Sequence, residues 1–262
     1  LLLAVFAAVF LPMSGGSLLA QDTASVAEKT PASDKPTRSS RFPIIVKSVP
    51  EFGATEVDPS LDAIRVTFDR DMKDGYSWIG DPRSEEYPRI DKKRTIEWID
   101  GRTCVLPVRL AKGRFYQIGI NQKGAEKFKS VDGMPAEHRV LSFATKGAKR
   151  SAQRKARVPQ IVEMTPANGA ESVDPSLKSM SATFDTKMAP GMSWVKTGGW
   201  WPGYDGGRAR WSRDGKTCTL PVELEPDATY EVSLNGSRYI NFQSRYGVPI
   251  ETTIWSFTTA AE

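Results

Sequence analysis

The chain has 262 residues, which is enough for one large domain or for two domains of ordinary size. Its apolar content of 39% and aromatic content of 10% can build packed cores, and its net charge is +5. The 18 prolines and 21 glycines argue against long helices and favour an all-β protein with many turns.

Residues 1–20 have the pattern of a signal peptide. Residues 1–12 are almost wholly apolar, and small residues then lead to Ala20, after which a signal peptidase would cut. This apolar run is too short for a bilayer core, which needs about 20 residues. The initiator methionine and a basic segment do not precede the run, so we expect an N-terminally incomplete signal peptide, with an uncleaved anchor as the alternative. The mature chain is predicted to lack a membrane span and to be secreted, periplasmic or at the cell surface.

Residues 21–42 follow this segment and are rich in Ser, Thr, Ala, Pro and charged residues. Such a composition has little to bury, and it predicts a flexible linker.

The rest of the chain is a repeat. Residues 43–78 match residues 159–194 at an offset of 116, and after a variable stretch Cys104 matches Cys218 at an offset of 114. Both copies share the motifs VDPSL, TFDxxM and TCxLPVxL. Each copy is about as long as a small domain, so the repeat predicts domains at 43–147 and 158–262 joined by a basic linker at 148–157.

Apolar residues alternate along both copies, as they do in strands with one face in a core. Ile64, Val66 and Phe68 of the first copy match Met180, Ala182 and Phe184 of the second. About seven short strands are predicted in each copy, which is the number in an Ig-like or fibronectin-III-like β-sandwich. The predicted strands of the first copy lie near residues 44–49, 62–69, 94–99, 103–110, 114–121 and 139–145, with one more in the variable stretch.

A tyrosine and a proline that recur in both copies give two further structural predictions. Tyr116 and Tyr230 each follow a strand and a short turn, as in a tyrosine corner, where the hydroxyl turns back to the backbone just upstream. Pro107 and Pro221 lie within a predicted strand, and because proline cannot donate to a ladder, we expect this strand at a sheet edge or with a bulge.

The repeated motifs resemble a known family. Pro-x-Ile-Val, the Gly53-Ala54 pair, VDPSL, TFDxxM and the closing SFAT or SFTT are similar to the SbsA-type bacterial Ig-like domain of surface-layer and other exported proteins. The resemblance covers both copies. It implies a structural, spacer or adhesion module, and it brings no catalytic residues.

Residues that could carry chemistry are few. Cys104 and Cys218 occupy equivalent inward positions, so we expect free thiols in two separate cores. The single histidine, His138, is interpreted as a surface residue. No catalytic residues, metal site or cofactor are predicted, and the protein is not expected to be an enzyme.

A calcium site is the one metal site weighed. Asp69, Asp71 and Asp74 cluster after a strand, and carboxylate oxygens suit Ca²⁺. The position that matches Asp71 in the second copy is Lys187, which would repel a cation. A solvated turn is therefore the preferred interpretation.

The basic linker at 148–157 holds several lysines and arginines without an aromatic residue beside them. We interpret it as a solvated tether or as a contact to anionic cell-envelope polymers, and we expect no nucleic-acid partner.

A glycine-rich stretch of the second copy carries aromatic residues that the first copy lacks. Trp200, Trp201, Tyr204 and Arg208 are the candidate ligand-binding residues, because flat rings on a loop can stack on sugars or anchor a protein partner. The alternative is that the rings cover a sheet edge.

The sequence thus predicts an exported structural, spacer or adhesion module that contacts an envelope polymer, polysaccharide or surface protein. The alternative function is a polysaccharide-binding protein or an accessory fragment of a carbohydrate-active enzyme. The oligomeric state is left open.

Overall fold

A computed structural model describes residues 41–203 and 207–261. The predicted signal peptide and nearly all of the linker at 21–42 lie outside these residues. The described chain is almost entirely β-structure, with one short helix, α1 (Arg150–Ala156), between the copies of the repeat. The predicted all-β class and Ig-like β-sandwich architecture are confirmed.

The first copy folds into two facing sheets. One sheet has the order β1-β2-β6-β4, with β5 also paired to β6, and the other has the order β3-β7-β8. Ile64 and Val66 of β2 are fully buried and share one core with Ile118 and Ile120 of β7, as their alternation predicts. The strands are β1 (Ile45–Val49), β2 (Ala63–Phe68), β3 (Trp78–Ile79), β4 (Arg89–Ile90), β5 (Glu97–Trp98), β6 (Thr103–Arg109), β7 (Phe115–Ile120) and β8 (Arg139–Ala144).

The second copy repeats this plan with the sheets β9-β11-β14-β13 and β10-β16-β15-β12. Its described residues form eight strands, like those of the first copy, where about seven were expected. Two-residue strands such as β4 are too short for a sequence pattern to reveal. The strands are β9 (Ile161–Thr165), β10 (Ala170–Val173), β11 (Ser179–Phe184), β12 (Trp194–Lys196), β13 (Arg210–Trp211), β14 (Thr217–Pro221), β15 (Thr229–Leu234) and β16 (Thr253–Thr259).

The tyrosine corner is present in both copies. The hydroxyl oxygen of Tyr116 accepts a hydrogen bond of 2.8 Å from the backbone N–H of Ala111. Tyr230 accepts the equivalent bond of 2.7 Å from Glu225. Each phenol thus fixes the turn that leads into its own strand, as predicted.

The strand that carries Pro107 is not at a sheet edge, so the edge expectation is wrong. Its register with β2 is continuous through Pro107, so no bulge is present in that pairing either. β6 lies between β2 on one side and the short strands β4 and β5 on the other. The N–H of Val108 donates to the carbonyl of Asp62, the residue just before β2, so the nitrogen of Pro107 faces the opposite side. There β5 pairs with residues 104–105 and β4 with residues 108–109, which leaves Pro107 in the gap between the two partners.

The basic linker is ordered over most of its length, which differs from the expected solvated tether. Helix α1 lies against the first sandwich, where Ala156 and Ala148 pack with Phe115 and Ala144 in a small apolar cluster. The hydroxyl of Ser142 in β8 donates a 2.7 Å hydrogen bond to the carbonyl of Ala156. The small alanine side chains let this otherwise charged segment lie close to the sheet. The domain boundaries remain a prediction, and the described parts of both copies belong to one compact unit.

Candidate binding surface

The aromatic loop of the second sandwich connects β12 to β13, and backbone hydrogen bonds hold it in place. The N–H of Trp200 donates to the carbonyl of Thr229 in β15 over 3.3 Å. The carbonyl of Pro202 accepts a 3.0 Å bond from Glu223, which follows β14. The loop is therefore attached to both sheets of this sandwich.

The two adjacent tryptophans have different environments. Trp200 is 60% exposed, whereas Trp201 is half-buried and packs against the core of the second sandwich. Arg208 is exposed, and Tyr204 lies outside the described residues. Of the four candidate residues, the structure therefore places Trp200 and Arg208 in solvent and gives Trp201 a packing role.

Two glycines of this loop lie where a larger residue would not fit. Gly199 has a φ of +51°, and a Cβ atom there would lie 3.1 Å from the carbonyl oxygen of Thr229. At Gly203 a Cβ atom would lie 2.8 Å from the indole nitrogen of Trp201. A side chain at either position would push the loop away from β15 or displace Trp201.

The other tryptophans are core residues. In the second sandwich Trp194 and Trp211 lie edge-on to Phe242, with ring centroids 5.4 and 5.8 Å away. Trp78 and Trp98 make the same contacts to Phe128 in the first sandwich. All seven tryptophans are among the described residues, and Trp200 alone is exposed.

Both cysteines are free and buried, as predicted. Burial raises the pKa of the Cys104 thiol to about 12 and that of the Cys218 thiol to about 11. The indole N–H groups of Trp78 and Trp194 are buried in the same two cores and have no hydrogen-bond partner among the described residues. The thiols are therefore held protonated inside two equivalent aromatic cores.

The interpretation of His138 as a surface residue is wrong. Its exposure is 5%, and its ring Nε2 lies 2.9 Å from a carboxylate oxygen of Glu126. The second oxygen of Glu126 accepts a 3.3 Å hydrogen bond from Arg238 of the second sandwich. Sequence reasoning missed this group, although one signal was available: the position that matches His138 in the second copy is Thr252, so the shared fold does not require the histidine.

Asp69 and Asp71 of the acidic cluster pair with other groups of the first copy. Asp69 accepts hydrogen bonds from the side chain of Arg70 and from the N–H of Ile44. Partial burial opposes ionisation, but these bonds hold the pKa of Asp69 below its ordinary value. Asp71 is paired with Arg102 at 2.7 Å. Within residues 41–203 and 207–261, no group of three or more His, Cys, Asp or Glu is arranged to hold a metal ion.

The fold and the loop define the class of protein: a tandem of Ig-like β-sandwiches with an aromatic loop on the second. The family model of the bacterial Ig-like domain matches residues 155–259. This stretch is therefore a bacterial Ig-like domain, and the finer SbsA type remains a proposal. No curated protein matches the sequence.

Solved structures with local likeness include an S-layer protein, SbsC, at 21% identity over 42% of this chain, with a TM-score of 0.28. This chain spans 15% of that protein's length. A chimeric titin Z1Z2-Z1Z2 tandem is similar over 84% of this chain and 99% of its own, at 10% identity and a TM-score of 0.30.

Within residues 41–203 and 207–261, no helix has the length and apolar character to cross a bilayer.

Proposed function

We propose that this chain is an exported, non-catalytic structural, spacer or adhesion module of a bacterial cell envelope, located outside the cytoplasm. The bacterial Ig-like match at residues 155–259 supports a structural or surface role. The motifs shared by both copies extend the same interpretation to the first sandwich.

The observation that carries the adhesion role is the exposure of Trp200. The side chain of Trp200 is 60% exposed, so it contributes little to the stability of the fold. The backbone of its loop is nevertheless hydrogen-bonded to β15 and to the chain after β14. A large ring on a fixed backbone binds a partner with a small loss of conformational entropy. Trp200, together with the exposed Arg208, therefore suits an envelope polymer or surface protein as partner.

The second candidate function is polysaccharide binding, either alone or as an accessory fragment of a carbohydrate-active enzyme. Two glutamates adjoin the backbone of the loop and favour this class. Glu223 bonds to the loop through its N–H, and the Cβ of Glu231 lies 3.5 Å from the position that a Cβ would take at Gly199. A flat ring beside hydrogen-bonding carboxylates can stack on a sugar and bind its hydroxyl groups.

Single substitutions at the adjacent tryptophans test the proposal. Trp200→Ala should leave the melting temperature unchanged and abolish retention on the envelope polymer or polysaccharide that the wild type binds. Trp201→Ala should lower the free energy of unfolding by more than about 1 kcal/mol, because its ring packs on the core. The measurements are thermal melting and affinity electrophoresis through gels of purified cell-wall and plant polysaccharides.

Tyr239→Ala is the matched control, since Tyr239 is an exposed aromatic residue of the same sandwich outside the loop. Loss of retention with Trp200→Ala but not with Tyr239→Ala supports recognition by the loop. Retention of the Trp200→Ala variant, or a wild type that is retained on no polymer, would contradict a binding role and leave a spacer.

A further inference from the structure

The two sandwiches contact each other directly next to α1, at a junction made of Glu126, His138, Lys155, Arg238 and Tyr246. Three of these residues come from the first copy or the linker, and two from the second copy. The junction is polar, and each of its charged groups has a partner across or beside the contact.

Glu126 is the centre of one half of the junction. Its carboxylate lies 2.9 Å from the ring of buried His138 and 3.3 Å from the guanidinium of Arg238. The backbone N–H of His138 donates a 2.8 Å hydrogen bond to the carbonyl of Ser237. One carboxylate thus binds side chains from both sandwiches beside a backbone hydrogen bond that also crosses between them.

Lys155 of α1 is the centre of the other half. Its ammonium group is paired at 2.9 Å with Glu86 of the first sandwich. The same group lies 5.6 Å from the ring centroid of Phe115 and 5.8 Å from that of Tyr246, so it sits between aromatic rings of the two copies. The side chain of Gln117 also donates a 3.3 Å hydrogen bond to the carbonyl of Tyr246.

The repeat offers an independent observation on these residues. Core positions such as Cys104 and Cys218 are the same in both copies, but the junction positions are not. At the offset of 114, Glu126 matches Ile240, His138 matches Thr252, Arg238 matches Gly124 and Tyr246 matches Asp132. The shared fold therefore does not require the junction residues, whereas a specific contact between the first and the second sandwich does.

We propose that this junction holds the two sandwiches in one fixed relative orientation and couples their opening, so that the chain behaves as a single rigid unit. The linker takes part through α1, whose alanines dock on the first sandwich while Lys155 reaches the second. Separation of the sandwiches would leave the buried His138 and the carboxylate of Glu126 without Arg238 and Ser237.

Residual dipolar couplings of the full chain test the orientation. In the wild type, the couplings of both sandwiches should fit one alignment tensor. In the double variant Glu126→Ala with Arg238→Ala, each sandwich should need its own tensor. Separate tensors in the wild type would overturn the proposal, whatever the stability of the variant.

The buried thiols test the coupling, because Cys104 reports only on the first core and Cys218 only on the second. Arg238→Ala changes only the second sandwich. It should nevertheless raise the rate of iodoacetamide labelling of Cys104 at least about fivefold, read by mass spectrometry of the labelled peptides. Glu126→Gln, which keeps the size of the side chain, should raise the labelling rates of both cysteines.

Arg213→Ala is the matched control, since Arg213 is an exposed arginine of the same sandwich in the turn between β13 and β14. It should leave both labelling rates unchanged. If Arg238→Ala leaves the labelling of Cys104 at the wild-type rate, the sandwiches open independently and the coupling does not exist.

Discussion

Tyr230 shows how a single residue defines part of this fold. Its ring is buried against Phe257, and its hydroxyl accepts the N–H of Glu225. Tyr230→Phe removes the acceptor and keeps the ring, so we expect the free energy of unfolding to fall by about 1 kcal/mol. Urea unfolding measures this loss. Tyr239→Phe is the control because Tyr239 is exposed, and an equal effect of both substitutions would contradict the corner's role.

The buried thiols give the protein a dependence on alkaline pH. Their pKa values in the folded chain, about 12 for Cys104 and about 11 for Cys218, lie above the ordinary value of 9.0. The unfolded chain therefore loses thiol protons at a lower pH than the folded chain. The stability that each thiol contributes is complete below about pH 9, and it is lost as the pH rises toward the folded values.

This dependence can be measured by urea unfolding between pH 8 and pH 10.5. Each thiol should lower the free energy of unfolding by up to about 1.4 kcal/mol per pH unit above pH 9. Cys218→Ala should reduce the slope of the free energy of unfolding against pH, because one of the two ionising thiols is removed. The other groups that titrate at alkaline pH remain. An identical slope in the variant would show that Cys218 does not ionise on unfolding in this range.

At the scale of elements, α1 departs most from its sequence pattern. Ala156 is fully buried against the first sandwich, whereas Ser151 of the same helix is exposed. Ala156→Leu should destabilise the docked helix by about 1–3 kcal/mol through overpacking, and Ser151→Leu by less than about 0.5 kcal/mol. Limited trypsin digestion measures the difference, because Arg150 and Arg154 become cleavable when α1 leaves the sheet.

The order of digestion rates decides this prediction. The Ala156→Leu variant should be cut within α1 faster than the wild type, and the Ser151→Leu variant at the wild-type rate. Equal rates for all three proteins would mean that α1 does not owe its order to the contact at Ala156.

The edge strands β1 and β9 each contain a bulge. The pairing of β1 with β2 skips Val46, and the pairing of β9 with β11 skips Val162, so each outer strand has a bulge at the same position. A bulge twists a strand and interrupts its free edge, which hinders pairing with another chain. Both valines are exposed, and charged Lys47 and Glu163 follow them directly.

At the scale of the whole molecule, the copies share a core and differ where they meet. Positions that build each sandwich recur, such as Tyr116 and Tyr230, while Glu126 and Arg238 occur once each. A module that spaces or displays a ligand benefits from a fixed orientation, because the exposed loop with Trp200 then points in one direction relative to the first sandwich. The proposed rigidity and the proposed adhesion role are nevertheless tested by separate experiments.

The sequence by itself determined the architecture. Alternating apolar residues, the internal repeat and the tyrosine corners predicted two sandwiches and two separate thiols, because these signals depend on local periodicity and on comparison of the copies. The sequence also singled out the loop, but its grouping of Trp200 with Trp201 treated neighbours in the chain as one surface.

Only the tertiary structure decided the contacts between residues that are distant in sequence. Adjacent residues of an extended loop can face opposite ways, so the burial of Trp201 depends on the sheet beneath it. His138 is buried where its N–H bonds to Ser237 of the other sandwich, and the hydrophilic α1 is ordered where its alanines pack with Phe115. Local composition describes a segment's own chemistry, whereas burial depends on which surface the fold brings against that segment.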